Sequence, residues 1–303
     1  MAGRGRLERG AGPAACGQLM THSYAAGIGG RAIVVASHPR SGTHLVIDLL
    51  RRQFPTCEPA RGHLSAGGDP YWNLDELLSS SAPGIDREIE RLCQVARPLL
   101  KTHRRPDFFA NCQYTSPVLS EREAFARMLM SRAATIFVHR NVVDVMISLY
   151  AMVDPQRTVP FERFIREVRG PLSRLGWWAR HLAEWRQAER TLLVSYEELL
   201  HDPARELGRI AAFLGETPVG RAPILPGRPA STWVERTKRL LRMRRESTAL
   251  GSHKVRSDRP VLSERDMAFI GEEIARVDPA LAAMIASDER SGVVAAADPV
   301  GSS

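Results

Sequence analysis

Short apolar runs alternate with amphipathic segments along this chain. Three runs of about six residues, rich in aliphatic and β-branched side chains, predict buried β-strands, and "PLLKTH" (residues 98–103) is a fourth, weaker candidate. The three are "AIVVAS" (32–37), "ATIFVH" (134–139) and "TLLVSY" (191–196). Their apolar character is nearly continuous, which is typical of parallel strands covered on both faces.

Helical patterns separate these strands. Apolar residues that recur every three or four positions predict helices over residues 43–52, 86–96, 121–132, 142–152, 178–189 and 204–214. Strands that alternate with helices indicate a three-layer α/β fold, in which helices flank a central parallel sheet. Ligands of such sheets bind beyond the carboxyl ends of the strands, and that is where the polar residues of this chain fall.

The chain has 303 residues, enough for one large α/β domain. We predict flexible tails over residues 1–30 and 288–303, around a folded domain at residues 31–287. The net charge of +8 would suit an anionic partner, but much of the excess is arginine spread along helices, so a solvated surface accounts for most of it. We expect no nucleic-acid binding, because the chain has no dense block of Lys and Arg, and no membrane insertion, because no apolar run reaches membrane-spanning length.

The cysteines show neither a CxxC pair nor zinc-ligand spacing. The simplest interpretation is a reducing, cytoplasmic compartment, and no cluster of ligands suggests a metal site. The four are Cys16, Cys57, Cys93 and Cys112.

The stretch "IVVASHPRSGTHLVIDLL" (33–50) combines a strand, a polar turn and a helix start, which is the usual form of a phosphate-binding loop. The pattern GxxxxGK[ST] fails here, because its first glycine would fall at Ser37 and its lysine at Thr43. An ordinary ATPase, GTPase or nucleotide kinase is therefore disfavoured. The remaining N–H groups, hydroxyls and guanidinium suit a 5′-phosphate that bears a further anionic group, although a purely structural turn would look similar. The candidate residues are Arg40, Ser41, Gly42, Thr43 and His44.

A second candidate phosphate contact follows the strand at residues 134–139. In "RNVVDVMISLY" (140–150), Arg140 lies at the strand end and Ser148 lies eight positions further, inside the next helix. An arginine at a strand end can make paired hydrogen bonds to a phosphate. The alternative is that Arg140 pairs with Asp144 and merely ties the turn to the helix, and this motif taken alone favours that alternative.

Five segments together resemble the sulfotransferases that use 3′-phosphoadenosine-5′-phosphosulfate (PAPS), specifically the soluble cytosolic type. "SHPRSGTHL" is similar to their 5′-phosphosulfate loop, YPKSGTTW, and "RNVVDVMISLY" to their 3′-phosphate motif, RNPKDVAVSYY. "LLKTHRRP" (99–106) resembles LLKTHLP, which carries the catalytic histidine of the family. "GWWARHLAEWR" (176–186) resembles the helix GSWYQHVQEWW, and residues 192–215 resemble the strand and helix after it. The segments follow the family's order.

The resemblance implies a P-loop-like α/β fold and PAPS as the sulfuryl donor. The 5′-phosphosulfate is expected on residues 40–44 and the 3′-phosphate on Arg140 and Ser148. Tyr196, at the end of the third strand, is a further candidate nucleotide contact. The acceptor is expected to be a small molecule, with phenols, alcohols, amines and glycans all open, and a homodimer is left open as well.

The resemblance also implies catalytic roles. His103 is the expected general base that removes the acceptor proton, and Arg40 and Lys101 are expected to stabilise the leaving phosphate. Lys101 and His103 are two positions apart, so both side chains point to the same face of an extended strand. His38 and His44 are rival bases, ranked lower because they lie beside the cofactor.

The chain departs from the family at three places. Arg40 replaces the loop lysine, Leu45 replaces the aromatic residue that ends the loop, and the C-terminal segment RKGxxGDWK is not recognisable. "GSHKVRSDRP" (251–260) lies about where that segment should be, so Lys254 and Arg256 are candidate 3′-phosphate contacts. These departures keep open the alternative of a catalytically silent member that still binds nucleotide.

Overall fold

A computed structural model describes residues 27–58, 71–79, 90–111, 117–220, 260 and 262–290. The described strands are β1 (Ile33–Ser37), β2 (Trp72–Asn73), β3 (Leu99–Thr102), β4 (Ala134–His139), β5 (Val168–Arg169), β6 (Leu172–Ser173) and β7 (Thr191–Ser195). Five of them form one parallel sheet in the order β2-β3-β1-β4-β7, and β5 and β6 form a small antiparallel pair. All four predicted strands are therefore confirmed.

Five of the six predicted helices correspond to described helices to within about four residues. The predicted helix at 86–96 lies partly outside the described residues, and its described part is helical only to residue 93. The helices are α1 (Thr43–Gln53), α2 (Leu74–Ser79), α3 (Pro106–Asn111), α4 (Pro117–Arg132), α5 (Val142–Val153), α6 (Phe161–Arg166), α7 (Arg174–Gln187), α8 (Tyr196–His201), α9 (Pro203–Leu214), α10 (Glu264–Val277) and α11 (Pro279–Arg290).

The sheet is covered on both faces, which confirms the predicted three-layer α/β architecture. Ile33 and Val35 of β1 point to one face and pack in a core with residues of α1 and α9. Val34 and Ala36 point to the other face, where α4, α5, α7, α10 and α11 supply the core. Because alternate side chains of one strand enter different cores, a slip of one residue would exchange them, so burial fixes the register.

The connections place one crevice at the centre of the sheet. After β1 the chain builds β2 and β3 on one side of it, and then returns to build β4 and β7 on the other side. Ligands of open α/β sheets bind outside the carboxyl ends of the strands at such a reversal. The loops that follow β1 and β4 meet at this position.

The burial of α1 can be tested with a core substitution. Leu49 is fully buried, so we expect Leu49→Ala to lower the free energy of unfolding by about 2–5 kcal/mol through lost packing and a residual cavity. Leu200 on α8 is 44% exposed, and Leu200→Ala should change the free energy of unfolding by about 0.5 kcal/mol or less. Urea unfolding followed by circular dichroism measures both values. Equal losses in the two variants would contradict the packing described for α1.

Candidate active site

The loop after β1 delivers the start of α1 to the crevice. The Ser41 N–H donates to the His38 carbonyl at 3.2 Å, with Pro39 second in the turn and Arg40 third at φ 75°, as in a type II β-turn. Gly42 follows at φ 105° and precedes the helix without a side-chain cap. The first N–H groups of α1 have no acceptor within the helix, and they carry the positive end of its dipole. This geometry suits an anion.

Two buried polar atoms at the crevice lack a hydrogen-bond partner among the described residues. One is Oγ of Ser41, whose side chain is fully buried, and the other is Nε of Arg140. Leaving such an atom unpaired costs about 1–3 kcal/mol. A hydroxyl and a guanidinium N–H both bind phosphate oxygens well, so these residues fit a ligand with phosphate groups.

Tyr196 connects the two phosphate-binding candidates. The Arg140 guanidinium lies 4.5 Å from the centre of the Tyr196 ring, and a Cβ placed on Gly42 would lie 2.5 Å from its Cδ2. The sequence placed Tyr196 at a strand end, but β7 ends at Ser195, whose hydroxyl accepts the N–H of Glu198 and caps α8. Tyr196 is therefore the first residue of α8, buried between the loop and Arg140.

Arg140 and Arg40 both reach α5. Nη2 of Arg140 lies 3.7 Å from the Asp144 carboxylate, a distance too long for a strong hydrogen bond. Nε of Arg40 donates to Oγ of Ser148 at 3.0 Å. The structure thus joins the predicted 5′-phosphate loop to the predicted 3′-phosphate motif, which are 108 residues apart in the chain.

His103 directly follows β3, and its ring forms a hydrogen bond with the last residue of β1. Its Nδ1 lies 2.8 Å from the Ser37 carbonyl oxygen, which can only accept, so Nδ1 carries the proton. Burial is the main cause that lowers the pKa of His103, and Lys101 lowers it further, whereas the bond to Ser37 and the charge of Asp75 raise it. The ring is therefore neutral at pH 7, with its lone pair on Nε2.

His44 lies closer to the candidate catalytic residues than the sequence indicated. Its ring packs edge-on against Tyr71 at 5.4 Å, and Nζ of Lys101 lies 5.9 Å from the centre of the same Tyr71 ring. Burial lowers the pKa of His44 to about 4, with further lowering by Lys101, His103 and Arg40. These four side chains therefore share one electrostatic environment.

A third histidine of this region, His38, contacts the ring of His181. Its Nδ1–H donates to the Pro39 carbonyl at 3.0 Å, and its ring meets that of His181 at 5.8 Å. Burial lowers the pKa of His38 to about 4 and that of His181 to about 3. Both rings are neutral at physiological pH.

Sequence reasoning missed several residues that contact His103. Ser37, Asp75 and His181 lie 66, 28 and 78 residues from it in the chain, so no local pattern links them. Lys254 and Arg256 lie outside the described residues, and their role stays a prediction. Within the described ranges, no group of three or more His, Cys, Asp or Glu side chains is arranged to hold a metal, and no helix is long and apolar enough to cross a membrane.

Comparison with known proteins identifies relatives of this chain. The sulfotransferase domain family matches residues 31–222. Sulfotransferase 1A1 of Mus musculus is 24% identical over 194 residues, covering 61% of this chain and 60% of that protein. Sulfotransferase 2B1 of Rattus norvegicus is 27% identical over 198 residues, covering 62% and 50%. The chain thus matches about 60% or less of the length of these relatives.

Solved structures with a similar chain path include two that contain PAP. Mouse sulfotransferase SULT7A1 complexed with PAP aligns with a TM-score of 0.45 at 15% identity, covering 89% of this chain and 94% of that one. Retinol dehydratase in a complex with retinol and PAP aligns with a TM-score of 0.45 at 16% identity, covering 85% of each chain.

The packing of Tyr196 against the loop can be tested at Gly42. Gly42→Ala forces a side chain to φ 105° and into the Tyr196 ring, whereas Gly215→Ala meets nothing within 4 Å at φ 65°. We expect Gly215→Ala to lower the free energy of unfolding by about 1–2 kcal/mol through backbone strain, and Gly42→Ala to lower it by more. Urea unfolding of both variants measures the difference. Equal effects would show that the ring does not press on the loop.

Proposed function

The chain belongs to the sulfotransferase family, and we propose that it moves a sulfuryl group from PAPS to a hydroxyl or amine of a small-molecule acceptor. The observation that carries the proposal is the pair of buried, unpartnered polar atoms, Ser41 Oγ and Arg140 Nε, in two phosphate-binding motifs that meet at one crevice. A ligand with anionic groups at both ends satisfies both atoms. PAPS has this character, and AMP has only the 5′-phosphate.

The residues of the crevice divide into two binding groups. We assign the 5′-phosphosulfate to the N–H groups and side chains of the loop: Arg40, Ser41, Gly42, Thr43 and His44. We assign the 3′-phosphate end to Arg140, Ser148 and Tyr196, with Lys254 and Arg256 as further proposed contacts. Arg40 belongs to the first group and contacts the second through Ser148, so the two groups adjoin.

Bound PAPS would supply the sulfuryl group, linked to a phosphate that becomes more negative as the group leaves. Fixed cations are the effective means of stabilising that charge, and Arg40 and Lys101 are the cations we assign to it. Both act electrostatically on His44, which places their charges in the same part of the site. The enzyme otherwise acts by alignment, as in phosphoryl transfer.

We assign the proton transfer to His103. The acceptor group must lose a proton, and a neutral imidazole with its lone pair on Nε2 can take it. Because the Ser37 carbonyl holds the proton on Nδ1, the tautomer is set before an acceptor arrives. The lowered pKa of His103 keeps the ring unprotonated at neutral pH.

One contact favours a second candidate, a nucleotide-binding protein without transferase activity. Nε of Arg40 already donates to Oγ of Ser148, so this N–H is engaged within the protein. Such a protein would bind adenosine 3′,5′-bisphosphate tightly and transfer no sulfuryl group to any acceptor.

We also propose a cytoplasmic location. The support for it is that Cys57 and Cys93 are free thiols, and thiols stay reduced in the cytoplasm.

Nucleotide choice tests the 3′-phosphate assignment. We expect adenosine 3′,5′-bisphosphate to stabilise the chain far more than AMP, by roughly 2.7 kcal/mol at 100 times its Kd. Arg140→Ala should weaken bisphosphate binding by about 1.5–3 kcal/mol, because it removes a charged donor, while Arg163→Ala, an exposed arginine on α6, should leave binding unchanged. Thermal shift and calorimetry measure these effects. A preference for ATP with magnesium, or full affinity in Arg140→Ala, would refute the assignment.

Two histidine variants test the base. His103→Ala should lower turnover by roughly 10² to 10⁴ while leaving bisphosphate affinity nearly intact, because His103 is assigned to the acceptor proton. His44→Ala should weaken bisphosphate affinity, because His44 belongs to the phosphate loop. Turnover with labelled PAPS over an acceptor panel, together with calorimetry, separates the two roles. Loss of turnover in His44→Ala at unchanged affinity, beside a nearly wild-type His103→Ala, would move the base to His44.

A further inference from the structure

We propose that Asp75 is a positioning residue for the general base, and that its carboxylate fixes the segment that carries His103. This proposal rests on the proposed function, since it concerns the same proton transfer. Asp75 is the second residue of α2, directly after the edge strand β2. It lies 28 residues before His103 in the chain.

Both carboxylate oxygens of Asp75 reach the end of β3. Oδ1 accepts the hydroxyl of Thr102 at 2.6 Å, and Oδ2 accepts the backbone N–H of His103 at 2.8 Å. The sheet pairing of β3 ends at Thr102 on the β1 side and at Lys101 on the β2 side. His103 is thus beyond the regular ladder, and Asp75 provides the acceptor for its N–H.

A role for Asp75 in starting α2 does not explain this geometry. Asn73 performs that task, because its Oδ1 accepts the N–H of Asp75 at 3.3 Å. Glu76 also lies in the first turn of α2, but it is exposed and accepts from Asn73 at 2.6 Å. Of these two neighbouring carboxylates, only Asp75 accepts hydrogen bonds from Thr102 and His103.

Two other elements complete the restraint on His103. The Ser37 carbonyl accepts its Nδ1–H at 2.8 Å, and Nε2–H of His181 in α7 donates to its carbonyl oxygen at 3.0 Å. The N–H, the C=O and one ring nitrogen are thereby held from three elements. A base that is misplaced by about 1 Å can lose a hundredfold in rate, so this restraint bears directly on turnover.

Asp75 also contributes a negative charge to a cationic site. Burial is the main cause that lowers the pKa of His103, and Lys101 lowers it further, whereas the Asp75 charge raises it. Removing the charge therefore lowers that pKa, and the acidic limb of kcat/KM, which reports the base of the free enzyme, moves to lower pH. The other ionisable groups that act on His103 are Lys101, His38, His44 and His181, and Nε of Arg104, the next residue in the chain, lies 4.0 Å from the Asp75 carboxylate.

The experiment compares Asp75→Asn, Asp75→Ala and the matched control Glu76→Gln in the full chain. Asp75→Ala should lower kcat about 10- to 100-fold with the Kd of adenosine 3′,5′-bisphosphate within about twofold of wild type. Asp75→Asn retains an oxygen for the His103 N–H and should shift the acidic limb to lower pH. Glu76→Gln should match wild type in all three measurements. The proposal is overturned if both Asp75 variants keep kcat within about twofold and the same acidic limb.

A readout without turnover separates this proposal from the proposed function. In ¹⁵N-labelled chain, with His103 assigned by a His103→Gln spectrum, the ring resonances should show the Nδ1–H tautomer and titrate at lower pH in Asp75→Asn. If wild type transfers no sulfuryl group, the proposed function fails and this titration decides the case for Asp75. An unchanged His103 titration in Asp75→Asn overturns the proposal for Asp75. Because this variant is nearly isosteric, the result does not depend on whether Asp75→Ala folds.

Discussion

The register of β1 between β3 and β4 is the constraint on which the site depends. β1 is hydrogen-bonded along both edges and buried on both faces, and its pairing runs to Ala36 opposite Thr102 and to Ser37 opposite Val138. A shift of one residue would move Ile33 and Val35 out of one core and into the other. The carboxyl ends of these strands are therefore fixed relative to one another, and so are the residues that follow them.

Ser37 shows how this constraint is used. Its hydroxyl bonds that of Thr43 at the start of α1, and its carbonyl accepts the Nδ1–H of His103 beyond β3. One residue at the end of the central strand thus orients both the phosphate loop and the assigned base. The contact with His103 does not depend on the Ser37 side chain, because the carbonyl belongs to the backbone of a buried strand.

The electrostatics of the site follow from burial beside cations. Burial lowers the pKa values of His38, His44 and His181 to about 4 or below, and these rings stay neutral among arginine and lysine side chains. The positive charge at the crevice is therefore carried by Arg40, Lys101 and Arg140 rather than by the histidines. Such an arrangement favours a ligand with several negative charges.

The sequence alone determined the local features of this protein. The apolar runs located β1, β3, β4 and β7 and missed the two-residue strands β2, β5 and β6. The polar residues after β1, β3 and β4 pointed to Arg40, His103 and Arg140, because each signal is contained within one strand and its following turn. The tertiary structure alone decided which distant residues meet. Arg40 with Ser148, Tyr196 with Gly42, and Asp75 with His103 are contacts across 28 to 154 positions, and strand order and register create them. Local sequence patterns do not predict such contacts, because the sheet brings together strands from separate parts of the chain.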